Sequence, residues 1–119
     1  VNCFSPLALE EFLRVLKPGG LYFYVVPGAE HLWQLKQVLY DEPYPNQEKL
    51  TPYPGLSYQE VRNIDQIIHL TDPQAILDLF QMTPYFWKTP KEGAARLAAL
   101  TELETAISFR IHVFRKSAE

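Results

Sequence analysis

A single cysteine, Cys3, stands among 119 residues, and this scarcity excludes an intramolecular disulfide framework and any cysteine-built zinc site within the chain. Such usage suits a reducing cytoplasm. No stretch approaches the roughly 20 apolar residues that span a bilayer, and no basic segment leads into an apolar signal core at the N-terminus. No membrane association is therefore expected. Lysine and arginine are fewer than the acids, 11 against 14, and the net charge of −3 gives no basic face of the kind that grips nucleic acid by itself. His31, His69 and His112 lack the carboxylate partners and spacing of a metal site, so no metal is expected. P-loop, GxSxG, HExxH and GxGxxG motifs are all missing. An initiator Met is missing too, and residues 1–4 read as the end of a strand that began earlier; the expectation is a fragment.

Hydrophobic residues at 47% and charged residues at 21% are ordinary globular values, and one domain of this size can bury roughly two thirds of its unfolded surface. No repeat or linker divides the chain. Its most informative segment is residues 16–40, LKPGGLYFYVVPGAEHLWQLKQVLY. Lys17, Pro18, Gly19 and Gly20 combine a cation for a helix end, a helix breaker and two permissive glycines. Residues 21–26 carry no charge, so the spacing predicts a strand covered on both faces, as in a parallel α/β sheet. Gly28 then allows a sharp turn, and residues 30–40 form a helix with Leu32, Leu35 and Leu39 inward and Lys36 and Gln37 toward water. Open α/β sheets bind ligands beyond the carboxyl ends of their strands, where a helix N-terminus offers free N–H groups and about half a positive charge. Function is expected near residues 27–31.

Ahead of this segment, Ser5 is a candidate N-cap and Pro6 a first helical residue, followed by Leu9, Phe12, Leu13 and Leu16 at amphipathic spacing. Residues 41–55 carry four prolines and read as an irregular surface excursion, a lid or an RNA-facing loop. Residues 57–70 read as a strand bent near residues 63–65, with a helical spacing in competition. Asp72 and Pro73 open a helix that ends near Thr83 and Pro84. Residues 91–103 should be helical. Residues 106–114 alternate Ile107, Phe109, Ile111 and Val113 with Ser108, Arg110 and His112, a half-buried strand.

His31 sits where a ligand would meet an imidazole and free N–H groups, although a histidine there is also an ordinary solvated residue. His69 and His112 read as structural or exposed. In QMTPYFWKTP, residues 81–90, aromatics in a rigid turn can stack on a purine while Lys88 meets a phosphate; equally, Phe86 and Trp87 can plug the core.

With LKPGGLYFYVVPGAEHLWQLKQVLY and LFQMTPYFWKTP both in view, the chain resembles the C-terminal part of the bacterial 23S ribosomal RNA guanine-N1 methyltransferases. The resemblance covers nearly the whole chain. It implies the late half of a class I, Rossmann-like α/β sheet of seven strands with an antiparallel last strand, placing residues 1–119 in a methyltransferase catalytic domain. It implies S-adenosylmethionine as cofactor and N1 of a guanine in a 23S ribosomal RNA hairpin as substrate. His31, Phe4, Pro27 and Gly28 are the expected cofactor-side residues. Tyr85, Phe86, Trp87 and Lys88 are expected on the RNA side. VNCFSP, residues 1–6, matches the methyl-transfer loop but departs from the Asn-Pro-Pro-Tyr form of many amino-group methyltransferases. The family's zinc module and glycine-rich cofactor loop have no counterpart in these residues, so the chain alone is expected to be inactive. A small-molecule methyltransferase is the alternative enzyme. The alternative from another class is a noncatalytic α/β domain that self-associates, as a homodimer, through an exposed sheet edge.

Overall fold

The computed structural model describes residues 1–117. It is a mixed α/β structure in the order β1 (Asn2–Cys3), α1 (Leu9–Val15), β2 (Leu21–Pro27), α2 (Trp33–Leu39), β3 (Leu56–Leu70), α3 (Pro73–Gln81), a 3-10 turn (Pro84–Trp87), α4 (Lys91–Ala98) and β4 (Leu103–Lys116). The four strands form one sheet in the order β1-β2-β4-β3. β1 is parallel to β2, with Asn2 opposite Tyr24 and Cys3 opposite Val25. β4 is antiparallel to β2, from Leu21 opposite Arg115 to Pro27 opposite Phe109. It is antiparallel to β3 as well, because Ser57 lies beside Arg115 while His69 lies beside Glu102. The last strand thus runs against its neighbours, as expected, but the sheet is mostly antiparallel.

Two compact units are distinguished. One comprises residues 1–29, 46–64 and 108–117. Its core is built of rings: Phe114 is fully buried and stacks on Tyr22 at 5.8 Å, and Phe12 of α1 reaches Tyr22 at 5.0 Å. The other comprises residues 30–45 and 65–107, with an aliphatic core of Leu32, Leu35, Leu39, Ile76, Leu97 and Leu103 around Phe80.

Local signals placed α3 well. Asp72 accepts from the Gln74 N–H at 3.0 Å, Pro73 fills the first turn, and the helix stops before Thr83. Elsewhere tertiary contacts moved the boundaries. α1 begins at Leu9, not near Ser5, because the Ser5 hydroxyl donates to the Asn2 side chain instead of capping a helix. Its C-terminal carbonyls, Leu13 and Leu16, are met by the Lys116 ammonium rather than by Lys17. α4 ends at Ala98, and Leu103 opens β4. β3 is a continuous strand.

Three burial expectations are corrected. β2 is not covered on both faces along its length, since Leu21 is 42% and Phe23 36% exposed. β4 buries the face expected to be polar: Ser108, His112 and Phe114 are buried while Ile107, Phe109 and Ile111 are only partly so, because Tyr22 and Tyr58 pack on His112 and Phe114. Lys36 does not face water but is buried.

Candidate functional site

In the first unit, the parallel pairing of β1 and β2 brings their carboxyl ends side by side, so Phe4 and Pro27 become neighbours of one residue. The Phe4 ring meets Phe109 edge-on at 5.6 Å, and Phe109 is the sheet partner of Pro27. Phe4 leaves β1 with φ +56°, a left-handed conformation costly for a bulky residue, while its N–H donates to Val25 O at 2.9 Å. The loop holding it is tied down by Asn2, whose amide donates to Tyr22 Oη at 2.9 Å and to Pro6 O at 3.2 Å. Gly28 is required for space, not for a sharp φ. Its N–H donates to Ser108 O at 2.8 Å, and a Cβ there would stand 2.1 Å from Ser108 Oγ. Three of the four cofactor-side candidates, Phe4, Pro27 and Gly28, are therefore gathered at one edge.

His31 belongs to the second unit. It lies in a turn before α2, not in the helix's first turn, and α2 starts two residues later behind Leu32, which has φ +54°. α2 is seven residues long and no side chain caps its N-terminus, where the Trp33 N–H donates to Glu30 O at 3.1 Å. Burial holds the His31 imidazole below its ordinary value, and the nearby Lys36 charge adds to this. Lys36 itself donates to Tyr44 O at 3.4 Å and lies 5.3 Å from the centre of the Tyr85 ring; burial pushes its ammonium down.

The expected RNA-side residues divide. Tyr85 turns inward against Tyr40 and Lys36, and burial raises its phenol. Phe86 packs on Phe80 at 5.4 Å and on Trp87 at 5.0 Å, yet Trp87 is 84% exposed, beside an exposed Lys88. The turn thus presents one anchored aromatic pair to solvent, with Thr83 pinned beneath it by a 2.7 Å bond to Phe80 O.

Sequence reasoning missed a cleft of about 810 Å³ in the first unit, whose lining includes Tyr24, Tyr53, Tyr58, Asn46, Arg110 and His112. Residues 46–53, part of the proline-rich excursion, wall it on one side. Arg110 is paired with Glu48. His112 is buried, and its Nδ1 has no hydrogen-bond partner. Burial holds this imidazole too below its ordinary value. Both histidines resist protonation when folded, so the unfolded chain binds more protons as pH drops below 6.5, the ordinary imidazole value. Their contribution is complete above that pH and lost on acidification through the lowered folded values. Chemical denaturation across this range should show stability falling with acid, with a shallower slope after His31→Gln and His112→Phe together.

Among the described residues, no group of three His, Cys, Asp or Glu is gathered to hold a metal ion, and no helix is long and apolar enough to cross a membrane. No family model matches the chain. It is similar to a Bacillus subtilis (strain 168) protein provisionally named a 23S rRNA (guanine-N(1)-)-methyltransferase, with 33% identity over 110 residues. The match covers 89% of this chain and 38% of the relative, so the resemblance read from the sequence holds while the chain spans well under half of that relative's length.

Proposed function

We propose that this chain is the C-terminal portion of the catalytic domain of a cytoplasmic, S-adenosylmethionine-dependent methyltransferase that modifies N1 of a guanine in a 23S ribosomal RNA hairpin. The observation that carries the reading is the similarity just described, to a protein named for that reaction, in a chain whose β1 and β2 end side by side at Phe4 and Pro27. An antiparallel last strand suits the late half of a Rossmann-like sheet.

The edge fits a sulfonium donor. Phe4 is 53% exposed and meets Phe109, the sheet partner of Pro27, and aromatic faces attract cations. When bound, S-adenosylmethionine supplies a methyl carbon on a cationic sulfur. Phe4, Pro27 and Gly28 would line its methionine end, with His31 following three residues after Gly28 in the chain. Reaction then asks for in-line placement of guanine N1 and release of the N1 proton, and no protein nucleophile is needed. Trp87 and Phe86 offer a stacking surface for an RNA base, with Lys88 for a phosphate.

The test is transfer of labelled methyl groups to a 23S ribosomal RNA hairpin by a protein matching the relative's full length. N1-methylguanine is the expected product, and Trp87→Ala should weaken RNA binding by about 1–3 kcal/mol, the worth of one stacked base, with the fold intact. Methylation of small molecules but not RNA would replace this reading with the small-molecule one. The isolated chain should bind S-adenosylmethionine poorly by calorimetry.

A second reading, self-association, has its own observation. β3 is an edge strand of 15 residues exposed along most of its length, including Ile67 at 67%. Unpaired edges of this kind recruit a second copy. Sedimentation should show a dimer; a monomer at high concentration would remove this reading.

A further inference from the structure

We propose that the cleft walled by residues 46–53 is a binding site for an unpaired nucleobase, with Tyr24 and Tyr58 as stacking surfaces and His112 meeting the base edge. Its volume, about 810 Å³, lies within the range of small-molecule sites and leaves room for a base with its sugar. Tyr24, Tyr53 and Tyr58 converge there, and the Tyr58 and Tyr24 rings each flank His112, at 5.8 Å and 6.3 Å. Flat aromatic walls select flat ligands whatever their sequence, because every base has a π-face.

Polar groups narrow the choice. Asn46, Gln47 and Asn63 bring side-chain amides to the lining. His112 is 6% exposed, and its Nδ1 lacks any partner in the free chain. Such a buried orphan is unfavourable until something fills it. An imidazole kept neutral by burial carries one donor and one acceptor nitrogen, which matches the mixed N–H and carbonyl edge of a base. A bare anion suits the cleft less well, since Arg110 already has the Glu48 carboxylate as partner. Only Pro27 is shared with the proposed cofactor edge, so this is a separate subsite. The base can come from RNA or from the adenine of a nucleoside cofactor; favouring RNA rests on the methyltransferase reading.

Aromatic NMR correlation spectra of the chain, titrated with guanosine 5′-monophosphate, S-adenosylmethionine and ribose 5-phosphate, distinguish these sources. Guanosine 5′-monophosphate should move the His112 and Tyr58 ring signals with millimolar affinity while ribose 5-phosphate leaves them in place. His112→Phe, which keeps a flat ring but no nitrogen, should weaken binding about tenfold. A response to S-adenosylmethionine alone would assign the site to the cofactor's adenine and still support it. No response of wild-type His112 to either base-bearing probe, or an equal response to ribose 5-phosphate, overturns the proposal without relying on any variant. Failure of methyl transfer in the full-length protein, with guanosine 5′-monophosphate still bound here, would instead remove the proposed reaction and leave this site standing.

Discussion

Phe114→Ala should destabilise the chain by about 3–5 kcal/mol, the usual loss when a fully buried phenylalanine is truncated and its space cannot close. The ring has no solvent exposure. It touches Tyr58 at 4.2 Å, Tyr53 at 5.7 Å and Tyr22 at 5.8 Å, so its removal opens a void bounded by rigid rings that have few ways to relax inward. Urea denaturation followed by circular dichroism measures the loss. Phe114→Leu should cost less, since it restores much of the volume. Tyr53 and Tyr58 also line the cleft, so Phe114→Ala should broaden their ring signals even under native conditions.

Gly93→Ala should cost about 3 kcal/mol, although helix propensity alone favours alanine by about 1 kcal/mol. A Cβ at Gly93 would lie 1.9 Å from the Leu39 carbonyl oxygen and 2.8 Å from its carbon. These are backbone atoms, so no rotamer change relieves the clash and α4 must move away from the end of α2. That end is also where Arg96 donates to Val38 O at 2.8 Å, and the displacement breaks this contact as well. The same denaturation measurement decides the matter. A neutral or stabilising Gly93→Ala would mean that the two helices approach less closely.

How far the sequence revealed this fold depends on how local the deciding contact was. Asp72 and Pro73 act within a single turn, and their helix lies where they place it. The order of helices and strands was legible for the same reason: periodicity and breakers act over a few residues. Ser5 misled because its hydroxyl finds Asn2 on the adjoining strand end. Lys36 misled because its ammonium meets the ring of Tyr85, far along the chain, and the carbonyl of Tyr44. At the site, Pro27 and Gly28 were nominated by the strand-and-turn pattern and Phe4 by resemblance, and β-pairing sets the ends of β1 and β2 side by side. The cleft was not legible, since Tyr24, Tyr58 and His112 come from three strands. One signal was present: Tyr53-Pro54 puts a large ring into a mostly polar loop, where solvation alone gives no reason for it.

The position of β4 between β2 and β3 has a consequence for biosynthesis. The strand that joins β2 to β3 follows both in the chain, so during synthesis they wait without their common neighbour until β4 has emerged. Chaperone demand should therefore peak just before β4 emerges, and a nonsense codon near its start would yield a sticky nascent product.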